Sequence, residues 1–206
     1  NQLSGGGCEH MGNFPTFPVK GKLKMSPDNI LNYRISVSEE KGHAGYYEAM
    51  VQEDIKAKLT VTERTGMASY EYPADQQYGT IIIGGGISAT PIEQAAIVIT
   101  APNKCEGYAE GGNFCGLRTP YKVYFVAEFD TDALESGTWK RNELKPNTTF
   151  AEGEYSGVYF TFDVNKKKNI QYKIGVSYVS VENARENLKA ENTGWDFLQI
   201  QNQAES

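Results

Sequence analysis

Long apolar runs are missing from this 206-residue chain. No stretch approaches the roughly 18–20 residues that a helix needs to cross a bilayer. Ile81-Ile82-Ile83 ends at once on glycines. Histidine is scarce, with only His10 and His43. No HxH, HExxH or paired CxxC occurs, so the usual ligand spacing of a built-in zinc site is lacking. No GxSxG elbow supports a Ser-His-Asp set, and no loop of spaced aspartates suits calcium. Gly84-Gly85-Gly86 follows a strand-like stretch, but Ile87-Ser88-Ala89-Thr90 does not open a helix. A phosphate loop, which needs the N–H groups of a helix start, is therefore discounted. Basic charge is in deficit: 20 Lys and Arg stand against 26 Asp and Glu, for a net charge of −6. That balance argues against a general nucleic-acid binder, whose footprint is a basic face. Cysteine is limited to Cys8, Cys105 and Cys115, so at most one internal pair can form. Cys105 and Cys115 either close a loop as a disulfide or stay reduced; spacing leaves both open.

What the chain does have is period-two alternation. Hydrophobic residues make up 39% and the mean hydropathy is −0.51, enough apolar mass for one core. In residues 19–25 the lysines fall on one face and Val19, Leu23 and Met25 on the other. Residues 55–62 repeat the pattern, and residues 121–129 put Tyr121, Val123, Phe125, Ala127 and Phe129 on one side. Residues 158–164 and 170–178 follow suit. Such alternation predicts strands with one wet and one buried face. Residues 33–37, 45–51, 67–72, 79–83 and 96–100 bring the number to about ten short strands. Broken by Gly, Pro, Asn and Asp, they predict an all-β, antiparallel β-sandwich. Residues 163–169 read as a hairpin connection with Lys166, Lys167 and Lys168 as a solvated tip. One short C-terminal helix is expected over residues 181–190, capped by Ser180, with Glu182 in its first turn and Ala184 and Leu188 on one face.

Aromatics reach 12%. In a sandwich most are core or cross-strand pairs, and a few can stack on sugar rings. Carboxylates are plentiful, but sequence selects no facing pair of the kind that glycoside hydrolysis uses. Asn147-Thr148-Thr149 is a formal glycosylation acceptor with no function attached.

Four segments in register resemble the N-terminal β-sandwich domain of glycoside hydrolase family 92, a family of largely bacterial exo-acting α-mannosidases. The first is Leu3-Ser4-Gly5-Gly6-Gly7-Cys8, then Gly12-Asn13 and Phe17-Pro18. The second is Gly45-Tyr46-Tyr47 followed by residues 55–66, which end in Glu63-Arg64-Thr65-Gly66, and by Tyr70 and Pro73. The third is residues 123–129. The fourth is residues 173–180, leading through Ala184-Arg185 and Asn187-Leu188 to Gly194-Trp195-Asp196-Phe197. The chain departs from the family pattern at Ile35-Ser36-Val37, which lacks a histidine. It departs again at Met67-Ala68-Ser69-Tyr70, which lacks a histidine and an arginine, and at Ala44, where the family has proline.

The resemblance implies a supersandwich-like fold and a fragment of a larger enzyme. Residues 1–194 would be the accessory sandwich, and residues 195–206 the start of a linker toward a missing (α/α) barrel. The parent would be a calcium-dependent inverting exo-α-mannosidase acting on α-mannoside glycans, exported to the periplasm or cell surface of a bacterium. Acid, base and calcium would sit in the barrel, so this fragment has no catalytic residue, binds no metal or other cofactor and is inactive alone. The sandwich would form one wall of the substrate pocket. Cys8, Glu9 and His10, with Asn113, Phe114 and Cys115, are the candidate wall residues, because their glycine-rich loops let backbone approach a ligand. The surface left without its barrel is expected to drive self-association. A stand-alone carbohydrate-binding module or an interaction scaffold is the alternative. No nucleic-acid partner and no membrane span are expected.

Overall fold

The structure is a computed structural model that describes residues 12–28, 36–88, 90–112 and 120–205. Among them run fourteen strands and two helices. The strands are β1 (Thr16–Lys20), β2 (Val37–His43), β3 (Tyr46–Val51), β4 (Ile55–Val61), β5 (Thr65–Glu71), β6 (Tyr78–Gly84) and β7 (Ile92–Ala101). They continue with β8 (Lys104–Gly111), β9 (Tyr121–Phe129), β10 (Glu135–Lys140), β11 (Glu143–Pro146), β12 (Phe150–Glu152), β13 (Ser156–Asp163) and β14 (Asn169–Ser177). The helices α1 (Val181–Glu191) and α2 (Phe197–Glu205) close the chain.

The strands form two antiparallel sheets packed as a sandwich. A five-stranded sheet has the order β1-β6-β13-β10-β11, and a nine-stranded sheet has the order β12-β7-β8-β9-β14-β5-β4-β3-β2. Between them lies the main core, which includes Ile81, Ile83, Phe125, Phe129, Val158, Phe160, Phe162 and Tyr172. The Phe129 ring is 4.9 Å from Phe160, 5.1 Å from Phe162 and 5.4 Å from Tyr172. Each such pair contributes about 0.5–1.5 kcal/mol beyond its burial.

The alternation over residues 158–164 has a different cause from the one expected. Seven of the eight residues of β13 are buried, because both faces of the five-stranded sheet are covered. Val158, Phe160 and Phe162 meet the main core, while Tyr159 joins Val19, Ile82 and Trp139 on the outer side. A Cβ on Gly157 would run into the Trp139 ring, so glycine makes room for that indole. Residues 22–25 are not a strand. The chain turns at Gly21, whose φ of 76° suits glycine, and Leu23 packs over the same outer cluster.

Residues 163–169 are not a hairpin turn either, since β13 and β14 belong to different sheets. The segment carries the chain across the sandwich. Two of its lysines are tied down: Lys167 pairs with Asp130 at 2.6 Å, and Lys168 donates to the Gln76 carbonyl at 2.8 Å.

Helix α1 forms where the sequence places it. Ser180 accepts from the Asn183 N–H at 3.0 Å, and Ala184 and Leu188 bury against Val126 on the outer face of the larger sheet. Gly175 permits that approach, because a Cβ there would clash with the Ala184 carbonyl and Leu188. The sequence predicts a single helix; α2 is a second. Its Phe197 and Ile200 pack with Met67, Tyr46 and Trp195 on the same outer face.

Candidate functional site

The six candidate wall residues, Cys8, Glu9, His10, Asn113, Phe114 and Cys115, lie outside the described residues. Their described flanks come together at one end of the sandwich. Tyr121, the first residue of β9, pairs with Gly111, the last of β8, and Gly111 pairs with Ile92 of β7. The Tyr121 hydroxyl donates to Asn13 Oδ1 at 2.8 Å. Beside Asn13, Phe14 is buried with its ring 4.2 Å from Phe125, and it holds a φ of 56° that non-glycine residues seldom adopt. Thr90 and Pro91 close the same end: Gly111 sits so near the Pro91 carbonyl that a Cβ would overlap it.

Two buried polar atoms at this end have no partner, Asn13 Nδ2 and Thr90 Oγ1. An unsatisfied buried donor or acceptor costs about 1–3 kcal/mol, so the end of the sandwich holds unused hydrogen-bonding capacity. Amide, phenol and alcohol groups converge here, which can donate to and accept from hydroxyls of a polyol. Sequence reasoning passed over Asn13, Thr90 and Tyr121. In the sequence, Asn13 stands out only within the family-like Gly12-Asn13 stretch, Thr90 only as the end of a segment that does not open a helix, and Tyr121 as an inward strand residue. The only available signal was that Asn13 and Tyr121 flank the two glycine-rich segments.

A second convergence involves the segments that carry the family-like pattern. The β4–β5 turn meets α1 through Arg64 and Glu191: Thr62 Oγ1, the Arg64 N–H (2.9 Å) and the Arg64 side chain all donate to the Glu191 carboxylate. Burial alone would raise the pKa of Glu191, but these donors outweigh it and hold the group below the usual carboxylate range. Gly45, at φ 81°, lies against α2, and a Cβ there would come within 2.8 Å of Ala204 Cβ. A cavity of about 570 Å³ opens between this turn and the two helices. On the neighbouring strands Lys173 is buried, donates to the Asn192 carbonyl at 3.1 Å and lies 4.5 Å from the Trp195 ring centroid. Thus Gly45, Arg64 and Lys173, far apart in sequence, join Trp195 and Phe197 in fastening the two helices to the sheet.

Among the described residues, no three His, Cys, Asp or Glu side chains form a group that could hold a metal ion. Cys105 is a free thiol on β8, fully buried, and desolvation pushes its pKa well up. No described helix is long and apolar enough to cross a membrane.

Comparison with known proteins agrees with this architecture. The family described as "Glycosyl hydrolase family 92 N-terminal domain" matches residues 1–177. An uncharacterized secreted glycosidase of Arthroderma benhamiae is 24% identical over 98% of this chain and 29% of its own length. An inverting mannosidase of family GH92 from Bacteroides thetaiotaomicron superposes with a TM-score of 0.79 at 23% identity, over 95% of this chain and 26% of that one. A family GH92 alpha-mannosidase of the same bacterium gives a TM-score of 0.79 at 22% identity, over 94% of this chain and 28% of that one. At such identities the superpositions show a shared fold. The chain spans less than a third of the length of these relatives.

Proposed function

The chain belongs to the family of glycosyl hydrolase family 92 N-terminal domains, and from that premise we propose that it is the accessory sandwich of an exo-acting α-mannosidase, without turnover of its own. One observation supports the reading: separated segments of family-like sequence converge on the docking of α1 and α2, where a helical connector would be held against the sheet. On this reading residues 1–194 are the sandwich, and residues 195–206 begin the path toward the catalytic part. The end bearing Asn13, Thr90 and Tyr121 forms one wall of the sugar pocket, where pockets at domain junctions commonly lie.

The chemistry would be inversion at a terminal α-mannoside. A general acid protonates the leaving oxygen, and a carboxylate base activates water on the opposite face. Both groups, and the calcium that helps to hold the sugar, are assigned to the part of the enzyme beyond this chain. The contribution of these residues is to orient: Tyr121 holds Asn13, and the unpaired Asn13 Nδ2 and Thr90 Oγ1 are available to sugar hydroxyls. Export follows from the same reading; the Arthroderma relative is itself described as secreted, and a periplasmic or cell-surface location in a bacterium is part of the proposal.

The test compares this chain with the full-length enzyme on an aryl α-mannoside with calcium. The expected result is no turnover by the chain alone, turnover by the full-length enzyme, and a several-fold rise in KM on Asn13→Ala with kcat little changed. Turnover by the chain alone would overturn the proposal. A second reading, an interaction module, draws on the exposed Tyr178, Val179 and Leu198. It predicts concentration-dependent self-association, read by sedimentation.

A further inference from the structure

Beneath α1, on the outer face of the nine-stranded sheet, lies a cavity of about 320 Å³ lined by Glu128, Lys173, Arg185, Leu188, Lys189 and Asn192. That volume is the lower end of what small-ligand sites use. Three of the charged lining residues are cations and one is a carboxylate, in a chain whose net charge is −6. The carboxylate is already shared: Glu128 pairs with Lys104 at 3.0 Å and with Lys173 at 3.7 Å. Arg185 is satisfied by Glu106 at 2.6 Å. Lys189 is exposed and makes no ion pair among the described residues. An excess of positive charge therefore remains.

Asn192 gives the cavity its second feature. This residue is fully buried, and both ends of its side-chain amide, Nδ2 and Oδ1, lack a partner. Its backbone is fully used: the N–H donates to the Leu188 carbonyl and its own carbonyl receives Lys173. An amide left like this asks for one acceptor and one donor together. A bare carboxylate supplies acceptors only, and a neutral sugar supplies no counter-charge for Lys173 and Lys189. A hydroxylated carboxylate supplies both.

We propose that this cavity is a binding site for a hydroxy-carboxylate of sugar-acid type, held through Asn192, Lys173 and Lys189. The carboxylate accepts from Asn192 Nδ2 and lies against the two ammonium groups, and a neighbouring hydroxyl donates to Asn192 Oδ1. Burial lowers the pKa of Lys173, and an incoming anion would offset that desolvation. The site lies away from the end that carries Asn13 and Tyr121, and it stands or falls independently of the mannosidase reading.

The experiment is an NMR titration of the labelled chain, read at the Asn192 side-chain amide and the Trp195 indole, with D-glucuronate, acetate and methyl α-D-mannoside in parallel. Glucuronate is expected to shift both signals and to bind about tenfold tighter than either control, because it adds the hydroxyl bond to Asn192 Oδ1 that acetate lacks and the charge-assisted carboxylate bonds that the mannoside lacks. Lys189→Glu, an exposed change that leaves the core intact, is expected to weaken glucuronate at least fivefold. Asn192→Asp, checked for folding by circular dichroism, is expected to abolish binding. Equal binding of acetate would reduce the cavity to a plain anion site, and an absence of shifts would mean that it holds water only. Either result overturns the proposal, as does undiminished binding by Lys189→Glu.

Discussion

Tyr121 donates its hydroxyl to Asn13 Oδ1 across 2.8 Å, joining the start of β9 to the chain 108 positions earlier. Removing the hydroxyl leaves the Asn13 carbonyl oxygen without this donor. Tyr121→Phe is expected to lower stability by about 1 kcal/mol, a fall in Tm of roughly 2–4 °C for a domain of this size. Thermal unfolding followed by circular dichroism checks it; an unchanged Tm would show that the bond carries no net weight.

Gly45 faces a different constraint. Its φ of 81° disfavours any side chain, and an added Cβ would press on Ala204. Gly45→Ala should therefore loosen α2 before it harms the sandwich. Hydrogen exchange is expected to accelerate over residues 197–205 and to stay slow over β9 and β14, with a total loss of about 1–3 kcal/mol.

The Arg64–Glu191 contact is pH-dependent, and its sign follows from its pKa. Glu191 titrates below its unfolded value because Thr62 and Arg64 hydrogen bonds outweigh the burial that would raise it. Its stabilisation is thus present above the unfolded carboxylate value near 4.5 and is lost as pH falls through the lower folded value. Urea unfolding of Glu191→Gln should show a deficit of about 1–3 kcal/mol at pH 7. That gap should narrow progressively below about pH 4. A gap of constant size would assign the effect to packing.

Cys105 should be inert. Its thiol is buried between the sheets and its pKa is raised by desolvation. Iodoacetamide at neutral pH is expected to leave Cys105 unlabelled in the native protein and to label it in denaturant, as read by peptide mass spectrometry. Fast native labelling would contradict the packing of β8.

Much of the fold is legible in the residues. The strand over 121–129 coincides with β9, and 55–62 differs from β4 by one residue, because their alternation matches one buried face. The short strands β10, β11 and β12 carry too few residues and too many charges for a period to emerge. Residues 163–169 cross between the sheets instead of closing a hairpin, and the pattern of a strand does not say which sheet it joins. Helix α2 is capped by Asp196, which accepts from the Gln199 N–H, but it is short, has no basic last turn, and its burial depends on Met67 and Tyr46, distant in sequence. The six candidate wall residues lie outside the described residues, and only the described flanks of their glycine-rich segments meet at one end of the sandwich. The family pattern was legible. Asn13 and Asn192 were not, since an orphaned amide is a property of packing rather than of spacing.

The position of β14 in the larger sheet bears on biosynthesis. It lies between β9 and β5, in the middle of nine strands, although it is the last of them to be made. Until residues 169–177 leave the ribosome, β5 and β9 are two open edges with nothing to zip them together. The nascent chain therefore passes through a long adhesive interval, and whatever polypeptide is translated after α2 emerges only once that seam can close.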